Sequence, residues 1–244
     1  MIKAYAKSDI GKVREKNQDS YYISDSLSQV QLYMLADGMG GYKGGEIASS
    51  LAIQSAKNYI ENNFKEIEKD RDSIIQLVGS SIEYANMIVY EKSKESKELE
   101  GMGTTLEVCL IYNNKVYIGH VGDSRVYRIR KEFTRKLTQD HSYVQKLVKD
   151  GTITKEEAQH HPQKNMLMKA LGCNAFVEPD VMVKGFLKDD ILIINSDGLT
   201  NLVSQEEIFR EAKKDIEQAP KELVRIANEN GGYDNITVIV IKNI

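Results

Sequence analysis

The sequence predicts an α+β protein built on layered β-sheet, and three observations carry that prediction. Short, apolar, β-compatible runs lie on both sides of two long helical stretches. The hydrophobic period changes from helical to strand-like near Thr104. No Pro- or Ser-rich linker divides the 244 residues. Length alone allows one or two domains, at roughly 100–200 residues each. The missing linker decides for a single domain over residues 1–244.

From the N-terminus, Gln31–Ala36 is a short apolar strand that ends at Asp37-Gly38-Met39-Gly40-Gly41. After further glycines, Glu46–Phe64 reads as a helix. The next helix, Asp70 to about Lys94, places Ile74, Val78, Ile82, Ala85 and Val89 in one apolar stripe. Its frayed end and a loop occupy Glu91–Glu100. Thr104–Tyr112 and Lys115–Val121 are strands joined through Asn113-Asn114, a residue pair suited to a tight hairpin. Tyr127–Arg130 is expected to continue that antiparallel run. Ser142–Lys149 and Thr154–Gln159 are short helices, the second opened by a capping box from Thr154 to Glu157. Ile191–Asn195 is a buried strand running into Ser196-Asp197-Gly198. Ser204 and Glu207 form another capping box. Pro220 starts a helix that Gly231-Gly232 stops, and Asn235–Ile241 is the last strand.

Composition narrows the function classes. Hydrophobic residues make up 41% and charged residues 28%, a globular balance. With 33 basic and 36 acidic side chains the net charge is −3, which argues against a nucleic-acid binder. Cys109 and Cys173 cannot form a cysteine-based zinc cluster, and nothing suggests a disulfide scaffold. The first residues carry no apolar h-region, so no signal peptide is expected. No apolar run approaches the ~18 residues of a membrane span. The expectation is a cytoplasmic monomer.

The informative feature is where aspartates fall. Three apolar strands run into Asp37, Asp123 and Asp197, and Asp234 stands immediately before a fourth. Asp-Gly after a strand is by itself only a turn signal. Four such positions are harder to dismiss, because carboxylates converging at rigid strand ends repel one another unless a cation neutralises them. Oxygen ligands alone suit Mg²⁺ or Mn²⁺ rather than zinc or copper. The glycines at 38, 40, 41, 44 and 45 match neither a P-loop nor a dinucleotide fingerprint. They let backbone approach a metal closely.

Several motifs occur in one order: Arg14-Glu15-Lys16-Asn17-Gln18-Asp19, Ala36-Asp37-Gly38-Met39-Gly40-Gly41, Gly103-Thr104-Thr105, Val121-Gly122-Asp123-Ser124-Arg125, Leu137-Thr138-Gln139-Asp140-His141-Ser142, Ser196-Asp197-Gly198-Leu199 and Asp234-Asn235-Ile236-Thr237. Together they closely resemble the metal-dependent Ser/Thr protein phosphatase 2C family in its compact bacterial form, from about Ser8 to Ile241. The resemblance implies a β-sandwich of two antiparallel sheets flanked by helix pairs, four layers in the order αββα, with a small helical flap at about 142–165. It implies that Asp37 bridges two Mn²⁺ or Mg²⁺ ions and that the Gly38 carbonyl binds one of them. Asp197 and Asp234 would hold the other. Asp123, with Asp197, would make a weaker third site. Asp19 would orient a bound water, Arg14 would take the phosphate oxygens, and Gln18 and Asn235 would support the ligands from behind.

The implied reaction is hydrolysis of phosphoserine and phosphothreonine monoesters on proteins, reversing a cognate Ser/Thr kinase in signalling. A metal can lower the pKa of bound water from 15.7 to about 7, so a bridging hydroxide could attack phosphorus directly. Arg14 would engage two phosphoryl oxygens with its planar donors. The sequence departs from the animal branch after the first Asp-Gly pair. Met39 replaces a histidine proposed as general acid, and Tyr42 stands where related bacterial sequences often carry histidine. A water on the third metal is then the expected proton donor.

Other readings of these residues are weaker. His120 sits in a strand and reads as a structural hydrogen-bonding residue. For His141, positioning of the flap is favoured over catalysis. His160 and His161 complete four histidines too scattered for zinc. Neither cysteine opens the loop of a cysteine phosphatase, and Asn235-Ile236-Thr237 is a coincidental sequon. A two-metal phosphodiesterase or nuclease would want a basic groove, and a catalytically dead phosphoprotein-binding module would have lost a metal-position acid.

Overall fold

The computed structural model describes residues 1–25, 28 and 30–244, with backbone alone at 41–43. The side chain of Tyr42 therefore lies outside what is described. Two sheets stack face to face. The first has the spatial order β1 (Ile2–Asp9), β11 (Ile236–Asn243), β10 (Ile191–Asn195), β7 (Arg125–Arg130), β8 (Phe133–Lys136). The second runs β2 (Asp19–Ile23), β3 (Gln31–Met39), β5 (Leu106–Tyr112), β6 (Lys115–Val121), β9 (Asp180–Gly185), with β4 (Gly103–Thr104) paired to β3. Every ladder is antiparallel.

Side-chain alternation builds four layers from these strands. On β3, Tyr33 and Leu35 point between the sheets, while Leu32, Met34 and Ala36 point outward under α1 (Gly41–Asn63) and α2 (Arg71–Ser93). On β10, Leu192 and Ile194 meet the facing sheet, while Ile191 and Ile193 lie under α6 (Gln205–Lys214) and α7 (Ala219–Glu229). Both faces of the central strands are covered, which is why they read as continuous apolar runs. The helices α3 (Tyr143–Lys149) and α4 (Lys155–His160) form a separate projection, and α5 (Asp197–Thr200) is a single turn after β10.

Local signals behave as their chemistry requires. Asn113 and Asn114 both take positive φ, 46° and 56°, as a tight hairpin turn demands. The Thr154–Glu157 and Ser204–Glu207 capping boxes are both formed. Asp70 caps α2 by accepting from the amides of Asp72 and Ser73. Two expectations need correcting. The first helix begins at Gly41 rather than Glu46, because the glycine run is itself helical. Tyr127–Arg130 does not continue the hairpin. The chain bends at Gly122–Ser124 and β7 joins the opposite sheet beside β10.

Candidate metal centre

That crossing places the site. The C-terminal ends of β3 and β6 share one end of the second sheet, and the end of β10 and the start of β11 share the same end of the first. Asp37 and Asp123 therefore come from one sheet, and Asp197 and Asp234 from the other. The four line one cavity of about 510 Å³, together with Arg14, Gln18, Gly38, Met39 and Thr105. Asn165 and Leu167, from the returning limb of the α3–α4 projection, close one wall. Asp19 is paired with Asp37 across the β2–β3 ladder and stands behind the cavity rather than in it.

Asp37 is held mainly by its peptide group. Its N–H donates to Thr105 Oγ1 at 2.9 Å, and its carbonyl accepts from Thr104 Oγ1 and the Thr105 amide, each at 2.9 Å. Thr105 Oγ1 also meets Ser124 Oγ at 2.9 Å, tying this strand to the turn that carries Asp123. That turn requires Gly122, whose φ is +118° and whose added Cβ would collide with Thr105. Gly38 is fixed by close approach, since a Cβ there would fall on the Gly45 carbonyl. Only glycine leaves its backbone this near the cavity.

A third set of bonds knits the loop after β1 to β11. Asn235 uses its whole amide. Nδ2 donates to the carbonyls of Ile10 and Lys16, each at 2.9 Å, and Oδ1 accepts from Gln18 N at 2.8 Å. The Gln18 carbonyl accepts from Gly38 N at 3.2 Å. Arg14, on that loop, donates from Nη2 to Asp234 Oδ2 at 2.7 Å, and both side chains are substantially exposed. Met39 lines the cavity and has no proton to give.

The electrostatics are those of crowded acids. Burial pushes the Asp37 carboxyl well above the usual carboxylate range, and Asp19, Asp197, Asp123 and Asp234 add to it. Asp19 is pushed up to about 7 by burial, softened by hydrogen bonds from Thr237 and Ser196, with Ser196 Oγ donating to Oδ2 at 2.9 Å. Asp123 is pushed up to about 7 by burial and then by Asp197 and Asp140. Asp197 is raised by burial and Asp234, and Asn201 partly offsets this through a 3.1 Å bond. Arg125 eases Asp123 and Asp197, but its guanidinium is committed to Asp140.

A divalent cation fits this arrangement. The Asp19 Oδ1 atom is buried without a hydrogen-bond partner, and the four aspartates lining the cavity offer oxygen ligands, the kind preferred by Mg²⁺ and Mn²⁺. Among the described residues, no three His, Cys, Asp or Glu side chains already close around a single ion. The carboxylates are instead spread around the cavity.

Sequence reasoning placed the acids and missed what holds them. Thr104, Thr105, Ser124, Ser196 and Thr237 all stand in the ordered motifs without a role of their own. All five are buried hydroxyl residues, and only Ser124 and Ser196, directly beside Asp123 and Asp197, carried a signal in the sequence.

Comparison with known proteins agrees with the geometry. The sequence profile of the protein phosphatase 2C family matches residues 12–236. A serine/threonine phosphatase, Stp, of Listeria innocua is 36% identical over 244 residues, covering 97% of this chain and 94% of that protein. The crystal structure of the serine/threonine phosphatase Stp1 from Staphylococcus aureus superposes with a TM-score of 0.91 at 36% identity, covering 100% of this chain and 96% of that one. The catalytic domain of the phosphatase PstP, solved in complex with two manganese ions, gives 0.86 at 33% identity, covering 99% and 97%.

Proposed function

The chain belongs to the protein phosphatase 2C family and is a Ser/Thr protein phosphatase, a hydrolase of phosphorylated proteins; from that premise we propose which of its residues do the work. Asp37, the Gly38 carbonyl, Asp197 and Asp234 hold two Mn²⁺ or Mg²⁺ ions, and Asp123 with Asp197 holds a weaker third. Such ions supply Lewis acidity, which neutralises the carboxylates, acidifies water and draws charge from the phosphoryl oxygens. The remaining chemistry belongs to the side chains. Asp19 Oδ1, buried and without a partner, accepts a hydrogen bond from the attacking water and orients it toward phosphorus. Arg14 leaves Asp234 to engage two of the equatorial phosphoryl oxygens, leaving the line of attack open to the water and the departing oxygen. Asp123 orders the water that protonates the departing serine alkoxide, because Met39 cannot. Gln18 and Asn235 keep the Arg14 loop against β11.

Residues 1–244 act as one catalytic unit with a flap at about 142–165. We place it in the cytoplasm as a monomer that opposes a cognate Ser/Thr kinase. No helix among the described residues is long and apolar enough to cross a membrane. The observation that carries the site assignment is the convergence of four strand-end aspartates on one cavity, with an unpartnered carboxylate oxygen behind them. The test is hydrolysis of a phosphoserine peptide, p-nitrophenyl phosphate and bis-p-nitrophenyl phosphate, each with Mn²⁺, Mg²⁺ or a chelator. Turnover of the two monoesters alone, abolished by the chelator, is expected. Diester turnover, or monoester turnover in chelator, would contradict it.

A further inference from the structure

Behind the Asp123 turn lies a buried polar network that the reaction does not use. His120, on β6, is fully buried. Its Nε2 lies 2.9 Å from the Gln139 carbonyl, which can only accept, so Nε2 carries a proton. Its Nδ1 meets Glu107 Oε1 at 2.5 Å, across the β5–β6 ladder, so the pair shares one further proton. This fixes the ring on both sides. The ring of His141 packs against it, with centroids 4.5 Å apart and planes tilted by 30°.

His141 grips one residue, Gly122, through both of its flanking peptide units. Its backbone N–H donates to the Gly122 carbonyl at 2.7 Å, and its Nδ1 accepts from the Gly122 N–H at 3.2 Å. An accepting Nδ1 puts the ring proton on Nε2, which faces Asp180 Oδ2 at 3.3 Å, though poorly aligned for a hydrogen bond. Gly122 is the residue at φ +118° whose next neighbour is Asp123. The same histidine also roots the flap. The Met168 amide donates to the His141 carbonyl at 2.7 Å, and the adjacent Ser142 is bridged to Leu167 in the wall of the cavity.

We infer that His141 is a positioning residue whose Nδ1 locks the Gly122 peptide, thereby setting the Asp123 carboxylate and coupling it to the root of the flap. The buried His120–Glu107 pair holds the ring in place. The consequence for metal and substrate rests on the role proposed above for Asp123; the clamp itself does not.

Side-chain length separates the contacts. In His141→Asn the amide oxygen can occupy the place of Nδ1, whereas in His141→Gln the amide reaches the place of Nε2 and leaves Gly122 N–H without an acceptor. The experiment measures amide exchange at Gly122 in metal-free protein, Mn²⁺ binding by calorimetry, and kcat and KM on a phosphoserine peptide and p-nitrophenyl phosphate. His141→Gln and His141→Ala should speed Gly122 exchange by about tenfold or more, the size expected for one lost amide hydrogen bond. They should also weaken the last Mn²⁺ step and lower kcat on the peptide more than on p-nitrophenyl phosphate. His141→Asn should stay close to wild type in all three. If His141→Ala does not fold, the Asn and Gln variants decide the matter. Wild-type exchange at Gly122 in His141→Gln, or damage in His141→Asn equal to that in His141→Gln, would overturn the clamp. Asp123→Ala is measured alongside. Unchanged Mn²⁺ binding and turnover in that variant would remove the role of Asp123, while the clamp would still be judged on the Gly122 amide.

Discussion

The carboxylates differ in what each is asked to do, so single substitutions separate them. Asp37 is the most crowded by other acids and lies centrally, and Asp37→Asn should lower turnover by about 10³-fold or more while the fold persists; steady-state kinetics beside a melting curve is the check. Arg14 is bound to Asp234 across an exposed ion pair. Arg14→Ala should therefore raise KM or lower kcat/KM on phosphopeptide, while Mn²⁺ affinity by calorimetry stays equal or rises as Asp234 is freed. A large loss of Mn²⁺ affinity would make Arg14 a support for the metals instead. Asp123 should matter most for poor leaving groups. Because positioned acid catalysis contributes about 10²–10⁴-fold, Asp123→Ala should damage phosphopeptide hydrolysis far more than p-nitrophenyl phosphate hydrolysis. Equal losses would end the proton-donor role. The aspartates were legible because an acid at the end of an apolar strand interrupts a pattern. Thr105 and Ser124 were not, since a buried hydroxyl near a turn looks like any other loop residue until its partner is known.

At the scale of elements, legibility followed position in the sheet. The strands recognised from sequence, at β3, β5, β6, β7, β10 and β11, are interior ones covered on both faces. Those passed over, β1, β2, β8 and β9, are the edges of the two sheets. An edge strand has one neighbour and half-exposed side chains, as the mixed burial of β1 and β8 illustrates, so its residues carry no continuous apolar run. The destination of β7 was likewise hidden, because alternation fixes which face is buried but not which sheet receives the strand. The break between β4 and β5, at Thr105, ties the Asp37 peptide to Ser124 on the Asp123 turn. Thr105→Val keeps the volume, removes the acceptor of the Asp37 amide and cuts the link to Ser124. A loss of about 1–3 kcal/mol in urea unfolding is expected for that unpaired group, together with reduced kcat. A stability loss with unchanged kcat would show that this link serves folding alone.

For the whole molecule, the site is a store of unfavourable charge that divalent ions relieve. In metal-free protein burial and the neighbouring acids push the Asp19 and Asp123 carboxyls up to about 7, against an ordinary aspartate near 3.8. Between those values the folded state keeps protons that the unfolded chain has released, so this contribution to stability is present at low pH and is lost as pH rises through about 7. Chelated protein should accordingly melt at a lower temperature at pH 8 than at pH 6. Added Mn²⁺, binding only the folded state, should raise the melting temperature more at pH 8. The reverse order would mean that the carboxylates are already neutralised by protein groups. The most direct test of the central claim is an anomalous difference map at the manganese edge from crystals equilibrated with Mn²⁺. It should show two strong peaks among Asp37, the Gly38 carbonyl, Asp197 and Asp234, and a weaker one between Asp123 and Asp197. A cavity without peaks, with manganese bound elsewhere or not at all, would contradict the account.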